Sequence, residues 1–455
     1  PFVFGMDMTQ GAVFLLTMHA VNGTSGQISS IMFGVPGDGD DAATTIDGYP
    51  MAKKGEAGRA LGASITASGV GGIIGAIVFA VMIPVLEPIV LAFSPAEFFL
   101  LAILGITFIA FLAGGQNIFK GMIVGLFGMM LATVGMDPQT GTARYAGDYL
   151  FLWDGISLVT CVLALFAVPE MISLAVQGGS IAAQSTEAVK VSYKQIFQGV
   201  LEVPRHWFLT LRTSIIGALI GMVPGLGGSA AAWLCYGHAV QSSKTPERFG
   251  HGAVEGVIAP ETASNAKEGG SLLPTLFFGI PGSSGMAVMM GAFLILGIQP
   301  GPAMITQHLD LVWTLIWALV VGNLIAVTFL LFITRWVAAL TFINARMLVP
   351  FIIVLVVIGA FVNEGRWENL VILVVMSMVG YAMLRANWPR APFIIGLVLG
   401  RIAEESLHKA LDLWGLSFFT RPLSLVLIGM ICATIAFAIY RSRQPSAFDS
   451  SQVSA

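Results

Sequence analysis

The chain has 455 residues, of which 56% are hydrophobic and 10% charged, with a formal net charge of −3 and a mean hydropathy of +0.85. Soluble domains run near about 25% charged residues, so this chain lacks the polar groups to clothe a soluble surface. That excludes a soluble enzyme, a disordered segment and a nucleic-acid binder, and it leaves a polytopic α-helical membrane protein.

Apolar runs of about 18 residues or more, the transmembrane-helix signal, recur along the chain. They predict spans near 61–83, 97–115, 118–135, 156–177, 309–333, 347–362, 369–385 and 421–440. Less regular apolar stretches cover 11–35, 207–240, 269–298 and 391–414. About ten to twelve crossings are expected, some of them broken. Polar connections fall at 38–59, 178–206 and 241–268, and the Ser- and Gln-rich stretch 441–455 reads as a flexible tail. Cys161, Cys235 and Cys432 stand singly with no CxxC pair, which reads as small core hydrophobes rather than a disulfide framework or zinc site.

Positive charge in short loops orients such a bundle. Lys53, Lys54 and Arg59 put the start of 61–83 inside; the loop 84–96 has Glu87 and no Lys or Arg; Lys120 returns inside. The loop 136–150 reads as outside, and Lys190, Lys194 and Arg205 put 178–206 inside. In the second half 299–308 lacks Lys and Arg, Arg335 and Arg346 flank an inside loop, Asn363–Glu368 is net acidic, and Arg385 and Arg390 lie inside. The two halves alternate in opposite phase. This divides the chain into a first repeat at 1–178, a cytoplasmic linker at 179–206, a second repeat at 207–440 and the tail.

An offset of 245 residues sets Ile28–Gly37 (ISSIMFGVPG) against Leu273–Gly282 (LPTLFFGIPG). Phe33/Phe278, Gly34/Gly279, Pro36/Pro281 and Gly37/Gly282 are identical; upstream, Gly5 matches Gly250 and Gly11 matches Gly256. Similar segments of opposite orientation are the mark of an inverted-topology repeat. A third Pro-Gly break, in Gly221–Gly228 (GMVPGLGG), has its partner position before Pro1, so an opening segment is expected to precede the sequence. Pro removes a backbone donor and Gly frees φ, which stops a helix and exposes N–H and C=O groups. At membrane depth these are tolerated only inside protein or around a watery cavity, where half-helix ends suit carboxylates and cations.

With these motifs in view, the chain resembles a known family. Gly34–Gly62 (GVPGDGDDAATTIDGYPMAKKGEAGRALG), Gly221–Trp233 (GMVPGLGGSAAAW), Pro246–Ala266 (PERFGHGAVEGVIAPETASNA) and Gly279–Pro302 (GIPGSSGMAVMMGAFLILGIQPGP) are similar, in order and spacing, to the large membrane subunit of tripartite tricarboxylate transporters, the TctA-like family. The resemblance covers essentially the whole chain. It implies secondary uptake of small organic carboxylates driven by a Na⁺ or H⁺ gradient. It also implies a small four-helix membrane subunit and a periplasmic solute-binding protein as partners, in a bacterial inner membrane.

The chain departs from that family pattern at two places. Asp38, Asp40 and Asp41 follow the first Pro-Gly where small or hydroxylated residues are usual, and Lys267 and Glu268 interrupt an Ala-rich run. A charge at the bilayer centre costs about 2.5–3.5 kcal/mol, so three unpaired aspartates would cost ~8–10 kcal/mol. They must face water, bind a cation, pair with a base such as Lys267, or be protonated. Two readings stay open: an acidic coupling-ion site, or the solvated end of the loop leading to Lys53.

The expected substrate contacts are the breaks themselves, Gly34, Pro36, Gly37, Pro224, Gly225, Gly279, Pro281 and Gly282, with Asn265, Ser283 and Ser284. Asp38, Asp40, Asp41 and Thr44 are expected to couple the ion, with Lys267 as a charge partner. Ser283 also reads as a helix N-cap, Asp47-Gly48 as a turn cap, and the polar interruption Asn22–Ser25 as facing Lys267–Gly270. His251 and Glu255 are spaced to share a helix face, but no third ligand follows and no metal is expected. Arg401–Glu405 and Glu405–Lys409 read as i,i+4 pairs. No GxxxxGK[ST] motif and no nucleophile signature occurs, so neither ATP-driven transport nor an enzyme is indicated. The expectation is an all-α permease of two inverted repeats with discontinuous helices, working by alternating access without a cofactor other than Na⁺ or H⁺. The alternatives are an ion channel, a receptor or scaffold that binds without transport, or the same fold with a neutral or cationic substrate.

Overall fold

The computed structural model describes all residues except 1–2, 4, 35, 37–38, 114–117, 138, 178–190, 225–226, 341–344 and 443–455. Its first helices are α1 (Met8–Asn22), α2 (Gln27–Phe33), α3 (Ala42–Lys53), α4 (Ala57–Ala92), α5 (Pro95–Ala113) and α6 (Ile118–Ala132). Then come α7 (Leu158–Val162), a π turn, α8 (Val168–Gln177), α9 (Tyr193–Arg205), α10 (Trp207–Gly221) and α11 (Gly227–Ser242). The remainder are α12 (Glu255–Phe278), α13 (Ser284–Ile295), α14 (Ala303–Thr306), α15 (Leu309–Leu340), α16 (Ala345–Glu364), α17 (Glu368–Arg385), α18 (Ala391–Trp414) and α19 (Pro422–Ser442). Among the described residues the β structure is one hairpin, Gly135–Met136 against Ala143–Arg144. The expected all-α class is what forms.

Among the described residues three helices are long and apolar enough to cross a membrane: Ala57–Ala92, Leu309–Thr334 and Glu368–Arg385. Ala391–Thr420 and Pro422–Ala436, bent by 70°, add a fourth if read as one span. Shorter apolar helices, such as Trp207–Gly221 and Val349–Val362, stand beside them. Among the described residues the expected count of about ten to twelve crossings exceeds the helices long and apolar enough to span, and the charges on α12 keep it out of the apolar class. The stretch 391–414, read as irregular, is one continuous helix, α18. On α4 the residues Ile77, Val81, Val85 and Ile89, each one turn apart, are exposed, as are Trp313, Trp317 and Val321 on α15. A large apolar stripe of this kind is the face a span turns to lipid.

Residues Pro1–Ala92 and Ser157–Tyr381 form one compact unit, and Phe93–Ile156 with Ala382–Ala455 form another. At the centre of the first lies α12, buried at every residue from Gly256 to Phe277. It packs on α3, α4, α10 and α11, while α15 packs on α4 and α1. Small residues let α12 be enclosed so closely. A Cβ on Gly71 or Gly75 of α4 would strike the carbonyl oxygens of Thr262 and Ala266, and one on Gly217 or Gly221 of α10 those of Ala263 and Lys267. Small residues one turn apart bring membrane helices to backbone contact. Leu16, Phe79, Leu272, Phe277, Phe293 and Leu315 fill the adjoining core.

In the second unit α18 packs on α5 and α6, and α19 on α5. Glu97, fully buried near the start of α5, accepts from Ser94 N (3.0 Å), Arg421 Nε (3.1 Å) and Ser424 Oγ (3.0 Å). Arg401–Glu405 (3.8 Å) and Glu405–Lys409 (4.0 Å) pair on one helix face as expected. Glu404 turns to Arg144 of the hairpin instead.

Candidate functional site

The buried polar residues of α12 include Glu261, Asn265, Lys267 and Glu268. Stranded polar groups at that depth would be costly, so their partners matter. Thr44 of α3 donates its hydroxyl to Glu261 Oε1 at 2.5 Å. Among the described residues Glu261 has no cationic partner. Asn265 Nδ2 donates to Asn323 Oδ1 of α15 (2.7 Å) and to the Ser68 carbonyl of α4 (2.9 Å), with the Ser68 hydroxyl 3.2 Å from the same nitrogen. Thr24, in the interruption between α1 and α2, is 3.4 Å from the same nitrogen. The Asn265 carbonyl oxygen is buried and has no hydrogen-bond partner.

A charged chain runs from the same helix. Lys267 Nζ lies 2.8 Å from Glu268 Oε1 and 3.5 Å from Asp40 Oδ2. The other Glu268 oxygen is 3.2 Å from His19 Nε2 of α1. Asp40 also accepts from Ser229 Oγ of α11 at 2.8 Å. Asp40 thus joins the first Pro-Gly break to the third, and His19, against Gly285 of α13, carries the chain toward the second. Among the described residues no three acidic, His or Cys side chains group as metal ligands.

The breaks themselves differ. Gly34 (φ +71°) ends α2 and Gly279 (φ +64°) ends α12, both left-handed, a conformation glycine adopts without strain. Pro36 is exposed, whereas Pro281, Gly282 and Ser283 are buried. Ser283 caps α13, accepting from Met286 N at 3.2 Å. Pro224 is half-buried between α10 and α11. Asp40 and Asp41 form a 3-10 turn, Gly39–Asp41, and Asp41 is buried beside Gly26. Gly37, Asp38 and Gly225 lie outside the described residues, as does the side chain of Ser284.

Two smaller readings are corrected. Asp47 does not cap its own turn: buried within α3, it accepts from Tyr236 Oη (2.9 Å) and from the backbone of Gly252 and Ala253 (both 2.8 Å). His251 and Glu255 do not share a helix face, because α12 starts at Glu255 and His251 lies in the preceding turn.

A small-residue bundle enclosing a buried Asn and a Lys–carboxylate chain is a polar centre inside an apolar shell. Residues 1–395 match the family model described as the tripartite tricarboxylate transporter TctA family. The chain belongs to that family. It is 32% identical over 445 residues to an "uncharacterized 52.8 kDa protein in TAR-I ttuC' 3'region" of Agrobacterium vitis, covering 96% of this chain and 87% of that one. A second Agrobacterium vitis relative, the "uncharacterized protein in TAR-II ttuC' 3'region", is 38% identical over 226 residues, 48% of this chain and 93% of its own length. No solved structure matches. A transport role in a multi-pass membrane protein follows from the family and the apolar helices.

Sequence reasoning did not single out His19, Ser68, Ser229, Glu261 or Asn323. Each is a polar residue within an otherwise apolar or small-residue stretch, and in a membrane protein that alone marks a functional candidate. Glu261 sits inside the PETASNA motif, four residues before Asn265, one turn along the same helix.

Proposed function

We propose that the chain is the large permease subunit of a binding-protein-dependent tripartite system. It imports small organic di- or tricarboxylates across a bacterial inner membrane, coupled to Na⁺ or H⁺. Its partners are a small four-helix membrane subunit and a periplasmic solute-binding protein. The observation that carries this reading is α12: a fully buried helix with Glu261, Asn265, Lys267 and Glu268 along it. Polar residues so enclosed in a membrane protein mark solute and ion pathways.

Substrate is held by the Asn265 side chain, whose carbonyl oxygen is unpaired, by Lys267, and by the break around Gly279, Pro281, Gly282, Ser283 and Ser284. The coupling ion belongs on the acidic side, at Asp41, Thr44 and Glu261, because Asp40 already has Lys267 opposite it.

Transport proceeds by alternating access between two inverted repeats. Support comes from the backbone. The 245-residue offset pairs Gly34 with Gly279, both ending helices left-handed, and Gly5 (φ +89°) with Gly250 (φ +80°). The same offset aligns α1 and α2 with α12, and α4 with α15. Their packing is exchanged, α12 against α4 and α1 against α15, as a pseudo-two-fold would require.

Counterflow in proteoliposomes holding the chain with both partners tests the reading. With citrate and succinate as probes and Na⁺ and proton gradients imposed separately, labelled carboxylate is expected to accumulate in response to one ion. An intact complex that moves no di- or tricarboxylate would overturn it and point to neutral or cationic solutes.

A further inference from the structure

The Asp40 carboxylate lies in a pocket built for an anion. It accepts from Ser229 Oγ at 2.8 Å and faces the Lys267 ammonium at 3.5 Å. It also presses so closely on Gly228, at the start of α11, that any Cβ there would overlap its oxygen. A helix N-terminus, a hydroxyl and an ammonium are the groups that hold a carboxylate. Here all three converge on one supplied by the chain itself.

We propose that Asp40 is a tethered stand-in for the transported carboxylate, occupying its subsite in the empty carrier and leaving when substrate binds. The idea rests on the carboxylate-transporter reading and names the subsite within it. Two measurements of the pair make Asp40 the displaceable member. Lys267 is closer to Glu268 (2.8 Å) than to Asp40 (3.5 Å). The Asp40 side chain is 21% exposed, against 10% for Glu268 and 6% for Lys267. Glu268 and Lys267 are adjacent on a rigid buried helix, whereas Asp40 sits on a three-residue turn.

Exchange of one carboxylate for another leaves the charge around Lys267 unchanged. That resolves how an anion enters a region already holding Asp40, Asp41, Glu261 and Glu268. With Asp40 in place, a second carboxylate would meet repulsion and a single shared ammonium. With Asp40 withdrawn, substrate inherits Lys267, Ser229 and the α11 N-terminus.

Removing the Asp40 carboxylate should open a hole that a small carboxylate refills. In the purified full-length chain, Asp40→Ala is expected to melt below wild type. Sodium formate or acetate should then raise its melting temperature saturably by about 2–4 °C, while chloride at equal ionic strength should not. Wild type should not respond, nor should Asp40→Ala combined with Lys267→Met. Where Asp40→Ala does not fold, Asp40→Ser also empties the carboxylate position while keeping a polar side chain on the turn, and takes the same titration. In uptake, Asp40→Asn should lower the half-saturation concentration for citrate or succinate at least about threefold, since the competitor's charge is gone. No formate response in either Asp40→Ala or Asp40→Ser, or an equal response without Lys267, would overturn the proposal. Because formate binding does not depend on turnover, that result is separable from a failure of carboxylate transport.

Discussion

Lys267 stands 3.5 Å from Asp40, although the two residues are distant in sequence. Lys267 alone would be a costly buried charge; with Asp40 and Glu268 beside it, its ammonium is held by two carboxylates. Lys267→Met should therefore leave Asp40 and Glu268 facing each other without a cation, a loss of about 3–5 kcal/mol. Adding Asp40→Asn should recover part of that loss. Denaturant or thermal unfolding of the four chains of this double-mutant cycle measures the coupling, and strict additivity would contradict the pairing.

Asn265 ties α12 to α4 and α15 through a single amide nitrogen, with Asn323 Oδ1 at 2.7 Å and the Ser68 carbonyl at 2.9 Å. Asn265→Ala strands those buried acceptors, at about 1–3 kcal/mol per group. Asn323→Ala should cost less after Asn265→Ala than before it. A cycle of unfolding measurements on these two positions shows this as a non-zero interaction energy.

Thr44 and Glu261 meet at 2.5 Å with no cation beside them among the described residues. Glu261→Gln keeps shape and the hydroxyl contact but cannot bind or release a cation. Uptake in that variant should lose its dependence on the driving ion while substrate exchange persists. Retained ion dependence would remove Glu261 from the coupling machinery.

Gly75 and Gly221 have backbone carbonyls of α12 against them, whereas Gly237 on α11 has open space around its α-carbon. Alanine at either of the first two should destabilise by about 1–3 kcal/mol through overpacking. Alanine at Gly237 should be neutral or stabilise by up to ~1 kcal/mol through helix propensity. Melting temperatures of the purified variants give the comparison directly.

In the hairpin loop, the Gln139 backbone N–H (2.9 Å) and then the Thr140 hydroxyl (2.9 Å) hold the Asp137 carboxyl below its ordinary range. A carboxyl lowered in the folded state stabilises above its unfolded value, and that contribution is lost as pH falls through the lowered one. Amide-exchange protection of Gln139 should therefore persist at mildly acidic pH and fail only in stronger acid. Asp137→Asn should lose it at neutral pH.

Some of this was legible in the residues alone. The duplicated Phe-Gly-aliphatic-Pro-Gly announced helix ends, because a left-handed cap selects glycine and a following proline forbids continuation. The Lys267–Asp40 pair was foreseeable too, since uncompensated charge in an apolar chain needs a partner. The contact of Glu261 was not, because its partner Thr44 lies 217 residues away; the local signal marks Glu261 as a buried polar residue but does not name what it touches. Asp47-Gly48 was misread for the converse reason: Asp-Gly is a strong local turn signal, but the partners of Asp47 are 189 to 206 residues away. The charges from Arg401 to Lys409 hid the continuity of α18, since they interrupt an apolar window without interrupting a helix.

The measurement that bears most directly on α12 as the transport site is carboxylate counterflow in proteoliposomes, comparing wild type, Asn265→Ala and Gly237→Ala at matched amounts of folded complex. The account predicts counterflow of citrate or succinate in wild type and Gly237→Ala, and at least about a tenfold loss in Asn265→Ala. Equal counterflow in all three would contradict it, and would move the site away from the buried polar strip of α12.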